Sequence, residues 1–87
     1  MLSQYQRVKR VLEDADAPLA LFQIREKILE RFVQTDSDSA ISARIRDIRH
    51  DLDQDKLGTI INHRVPGKAY VRYELVRSEC NTLAASA

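Results

Sequence analysis

The chain has 87 residues, 44% of them hydrophobic and 31% charged, with a formal net charge of +1. That length leaves room for one core rather than two, and the composition excludes an intrinsically disordered chain. No apolar run approaches the roughly 18 residues that span a bilayer, and MLSQYQRVKR has no apolar signal-peptide core, so a cytoplasmic location without a membrane partner is expected.

A single cysteine, Cys80, allows no internal disulfide and reads as an incidental thiol. No Cys or His cluster has metal-ligand spacing, so no metal and no cofactor is expected. A core this thin must stand on packing alone or on packing plus a second subunit. The charge is uneven along the chain: residues 1–43 hold six basic and seven acidic side chains, whereas residues 44–77 hold eight and five.

In chain order, Ser3 and Gln6 form a capping-box pattern. Tyr5, Val8, Val11, Leu12 and Ala15 then recur at helical spacing, which predicts a helix over about 4–15. The DADAP segment then ends that helix, because Pro18 disfavours helical geometry in the residue before it. Leu21, Ile24, Ile28, Leu29 and Phe32 predict a second helix over about 21–33, with a short extended piece allowed at Leu19 and Ala20. Any of Asp36, Ser37 or Asp38 could cap a third helix whose stripe is Ile41, Ile45, Ile48 and Leu52, closed by Gly58. TIINHRV and AYVRYELV, flanking PGK at 66–68, predict a β-hairpin. Val71, Tyr73 and Leu75 alternate with Tyr70, Arg72 and Glu74, so one sheet face can cover the helices. In the first strand Ile60 and Ile61 are both apolar, and either could point inward. The predicted domain is 1–77, and the segment 78–87 reads as a flexible tail.

The third helix carries the chemistry. With its isoleucines inward, the 100° step per residue turns Ser39, Ala43, Arg46 and His50 outward, with Ser42 and Arg49 on one border and Arg44 on the other. Small residues early and long cations later suit a helix that must approach base edges closely. Arginine's planar fork bonds bidentately to guanine O6 and N7 or to a phosphate. Arg46 is therefore the candidate base reader, and Ser39, Ser42, Arg44 and Arg49 are candidates for base and phosphate contact. The competing reading is an ordinary solvated helix face. Asp51, Asp53 and Asp55 would repel phosphates and are expected in a loop away from a duplex.

Three helices followed by a hairpin, with SAISARIRDIRHDL and then GTIINHRVPGKAYVRYELV, resemble the winged helix-turn-helix family of small bacterial and phage DNA-binding regulators. The resemblance covers about residues 3–76. It implies a mainly helical α+β fold, a recognition helix in SAISARIRDIRHDL, and a wing whose Arg64, Lys68 and Arg72 contact the DNA backbone. Double-stranded DNA is the expected partner, bound by a homodimer because operators of such proteins are commonly two-fold symmetric. No small-molecule ligand is indicated. Catalysis finds no support: there is no glycine-rich phosphate loop, and Ser42 and His50 stand about 12 Å apart along one helix. The alternative is a winged-helix protein-interaction module, a DNA mimic or a complex subunit, which the near-neutral charge and the aspartates keep open.

Overall fold

The computed structural model of the chain describes residues 2–78. Cys80 and, apart from Ser78, the expected tail 78–87 lie outside the described residues. Three helices, α1 (Gln4–Asp14), α2 (Leu21–Phe32) and α3 (Asp38–Asp55), precede the strands β1 (Gly58–Arg64) and β2 (Val71–Arg77), which pair as an antiparallel hairpin. This is the expected mainly helical α+β architecture. Among the described residues, no helix is long and apolar enough to cross a membrane.

Each helix begins where the local chemistry supplies a partner for its orphan amides. Ser3 and Gln6 close the capping box on α1, and Gln23 Oε1 accepts from Ala20 N at 2.8 Å before α2. Before α3 the three candidate caps divide their labour. Ser37 is the cap, accepting from Ala40 N at 3.2 Å, and Asp38 pairs with Arg25 of α2 at 2.7 Å. Asp36 is instead buried. It accepts from Arg7 Nη2 at 3.0 Å and Nε at 3.2 Å and from Gln4 Nε2 at 2.9 Å, which ties the segment before α3 to α1.

The core is aliphatic and draws on every helix: Val8, Val11 and Leu12 from α1, Ile24 and Ile28 from α2, and Ile41, Ile45, Ile48 and Leu52 from α3. Leu29, expected in this stripe, is 50% exposed, because its position lies well round the helix from the line through Ile24 and Ile28. Phe22 and Val33 are exposed on the same side as Leu29. Val33 ends α2 in the left-handed conformation, φ 53°, which is uncommon for a β-branched residue.

The hairpin closes the open side of the core. Val65 O accepts from Lys68 N at 3.0 Å, and Gly67 holds φ 76°, the geometry of a type II turn with Pro66 leading it. At the other end Gly58 has φ 152°, and a Cβ there would collide with the Val76 carbonyl oxygen. Leu19 supplies a one-residue third strand: its N–H donates to Tyr73 O at 2.9 Å and its carbonyl accepts from Tyr73 N at 2.7 Å. That bridge sets which way β2 faces. Tyr73 and Leu75 pack on the core, their partners across the ladder are Asn62 and Ile60, and Ile60 is buried while Ile61 is 41% exposed. Ser78, which was expected to begin the flexible tail, donates to Leu57 O at 2.9 Å.

Burial alone would raise the Asp36 pKa, but the hydrogen bonds from Arg7 and Gln4 and the Arg7 charge outweigh it and hold the carboxyl below its ordinary 3.8. Its contribution to stability is therefore complete above the ordinary carboxylate range and is lost as pH falls through the depressed value. Replacing Asp36 by Ala leaves the half-buried Arg7 with the Leu2 carbonyl as an acceptor but no counter-charge. Chemical denaturation at neutral pH is expected to show a loss of about 3 kcal/mol or more, shrinking as the pH of the measurement is lowered.

Candidate nucleic-acid interface

α3 is oriented by its own buried stripe, so the outward positions are those expected from the 100° step. Ser39, Arg46 and His50 are exposed, and Ser42 and Ala43 are half-buried beside them. The early part of the helix is thus a narrow surface of two hydroxyls and a methyl. Arg46, one turn further on, forms no ion pair or hydrogen bond with any described residue.

The two flanking arginines differ from Arg46. Arg44 pairs with Asp47 at 3.1 Å, and its Nε is buried without a hydrogen-bond partner. Arg49 turns toward the hairpin: its Nε donates to Ile60 O at 3.1 Å and its Nη2 to Asn62 Oδ1 at 2.5 Å. Arg49, a candidate for base or phosphate contact, is thereby engaged along the outer edge of β1 and fixes the hairpin against α3. Asn62, its acceptor, was not among the candidate residues. An asparagine inside a β-branched strand was the available signal, since asparagine is depleted in strands.

The hairpin register separates its cations. Arg64 lies on the sheet face shared with Asn62 and so is turned toward the α3 side, whereas Arg72, paired across the ladder with His63, lies on the opposite face. His63 and Glu74 bond each other on that outer face at 2.8 Å. Lys68 stands in the turn between the strands. Arg64, Lys68 and Arg72 are exposed and carry no ion pair to a described residue. The structure thus places Ser39, Ser42, Ala43, Arg46 and His50 on the outward side of α3, and Arg64 on the hairpin face that meets α3 through Asn62 and Arg49, with Lys68 in the turn beyond it. Arg72 is outside that group, and Arg44 and Arg49 are engaged at its borders.

Asp51, Asp53 and Asp55 are not in a loop. α3 extends to Asp55, so they occupy its last turns, Asp53 and Asp55 beyond the final buried Leu52. Asp51 is held on the α1 side, accepting from Tyr5 Oη at 2.5 Å. At the hairpin's other side, Tyr70 packs edge-on against Phe22 of α2 with ring centroids 5.5 Å apart. Among the described residues no group of His, Cys, Asp or Glu could hold a metal ion. No family model, no curated protein and no solved structure matches the chain, so the site is defined by its own residues.

The Tyr5 phenol is pushed from 10.0 up to about 12, first by burial, then by its bond to Asp51 and by the charges of Asp51, Asp47 and Asp55. An unfolded chain gives up this proton near 10 and the folded chain near 12. The bond's contribution is therefore complete below the lower value and lost as pH rises through the higher one. An ultraviolet titration of the folded protein is expected to show a tyrosine phase near 12 that disappears in Tyr5→Phe, with the variant about 1 kcal/mol less stable at neutral pH.

Proposed function

We propose that the chain binds double-stranded DNA sequence-specifically, as a winged helix-turn-helix regulator of transcription with no chemistry of its own. In this reading α3 enters the major groove, with Ser39, Ser42 and Ala43 permitting close approach and Arg46 reading a guanine. Arg64 and Lys68 hold the phosphate backbone beside it, and Arg72 reaches a phosphate from the hairpin's far face. The observation that carries this is the distribution of pairing among the cations. Arg7, Arg25, Arg31 and Arg77 are bound to Asp36, Asp38, Asp14 and Glu13, whereas Arg46 on α3 and Arg64, Lys68 and Arg72 on the hairpin have no ion pair among the described residues, as Lys9, Arg10 and Lys27 on α1 and α2 also have none. An unpaired arginine on a helix with a narrow leading edge, with unpaired cations on the hairpin that follows it, suits base contact and phosphate neutralisation. A homodimer would present two α3 helices to half-sites one helical turn apart.

A second reading, a protein-interaction module, is supported by the exposed apolar side chains of α2, where Phe22 is 38%, Leu29 50% and Val33 80% exposed. A surface of this kind suits a protein partner rather than a duplex.

Two substitutions separate base reading from backbone holding. Arg46→Ala is expected to cost roughly 1–3 kcal/mol on the preferred duplex and to relax the preference at one base pair. Lys68→Ala is expected to weaken binding to all sequences alike and to flatten the dependence of log affinity on log salt by about one unit. An Arg46→Ala protein with unchanged sequence preference would remove Arg46 from the reading role.

A further inference from the structure

Asp47 is an acid at the edge of a surface otherwise built from small and cationic residues. It borders the outward side of α3, next to Arg46 and one turn from His50, and these three line with Tyr5 and Asp51 a shallow cleft between α3 and α1. Three acids near α3 serve the fold: Asp36 is buried against Arg7, Asp38 joins α3 to α2 through Arg25, and Asp51 holds Tyr5, while Asp53 and Asp55 lie exposed in the last turn, past the outward residues. Asp47 joins no two elements. Its ion-pair partner is Arg44 of the same helix, at 3.1 Å, with side chains 48% and 37% exposed. A pair of that kind adds little stability.

A carboxylate in this position has a definite chemistry. It only accepts hydrogen bonds, it is repelled by phosphate, and in the major groove it is satisfied by an exocyclic amino group, with the cytosine N4 amino its usual partner. Arg46 is its complement, offering only donors to guanine O6 and N7. The two are consecutive on α3, 100° apart with a rise of about 1.5 Å, and so address neighbouring positions of the groove. Resting on the DNA-binding reading above, we propose that Asp47 is a specificity-determining residue of α3, accepting from the N4 amino group of a cytosine adjacent to the base that Arg46 reads. On other sequences the same carboxylate stays unsatisfied and repels the backbone, so it lowers affinity for every duplex that lacks the cytosine. Engagement frees Arg44 for a phosphate at the cost of one weak, exposed pair.

The test uses the full chain and a randomised duplex pool. Bound duplexes are selected and sequenced for the unaltered protein, Asp47→Ala and Asp47→Asn, and affinities for the pool and for the selected duplex are measured by anisotropy. The unaltered protein is expected to select a cytosine beside a guanine. Asp47→Ala is expected to lose the cytosine preference by about tenfold or more while binding the unselected pool more tightly. Asp47→Asn is expected to move the preference at that position to adenine, whose N6 and N7 an asparagine side chain matches. A merely structural role through Arg44 would not produce that change of base. Retention of the cytosine by both variants, or a uniform loss of affinity with no change in preference, would overturn the assignment of Asp47. Failure of the unaltered protein to bind the pool at low salt would instead remove the DNA-binding reading itself.

Discussion

The rotation of α3 is set by the burial of Ile41, Ile45, Ile48 and Leu52, and the rest of the functional surface follows from it. Four large aliphatic side chains removed from water contribute on the order of 2 kcal/mol each, far more than any charge on the opposite side can oppose. Turning α3 far enough to bury Arg46 would expose that stripe. The outward placement of Ser39, Arg46 and His50 is thus a consequence of the core rather than of any contact those residues make. Ser37 at the start of α3 and the buried Asp36 beside it fix where this rotation begins along the chain.

The hairpin is held to the helices at two points, and both bear on the proposed interface. The backbone exchange between Leu19 and Tyr73 fixes the face of β2, and the ladder passes that choice to β1, which buries Ile60. On the far edge, Arg49 bonds Ile60 O and Asn62. One arginine of α3 therefore serves as scaffold so that a hairpin cation, Arg64, stands on the α3 side. Other paired arginines also join elements: Arg7, Arg25, Arg31 and Arg77 each bond an acid on a different segment of the chain. Asp47 is the exception that carries most information, because its pair joins nothing.

Much of this was legible along the chain, because helical period and turn chemistry are local. The three stripes apart from Leu29, the capping box at Ser3 and Gln6, the Pro66–Gly67 turn and the extended piece at Leu19 follow from spacing and residue type alone. What was not legible depends on partners distant in sequence. Asp36, Ser37 and Asp38 are equivalent as caps until Arg7 and Arg25 are known to lie nearby. Ile60 and Ile61 are equivalent until Leu19 orients β2. Arg49 looked like a free cation because the strand that accepts it lies across the loop that follows α3. Asp53 and Asp55 read as loop because α3 continues past its last buried residue, Leu52, where periodicity gives no signal.

The central claim is that the unpaired cations of α3 and the hairpin meet DNA. It is tested most directly by fluorescence anisotropy of the full chain with a randomised duplex pool at about 50 mM and about 200 mM salt, a range over which phosphate contacts lose their counterion-release advantage. The account predicts binding at the lower concentration that weakens steeply at the higher, with a slope of log affinity against log salt near −3 for each copy, from Arg64, Lys68 and Arg72 on phosphates. Absence of binding at the lower concentration, or binding indifferent to salt, would contradict it.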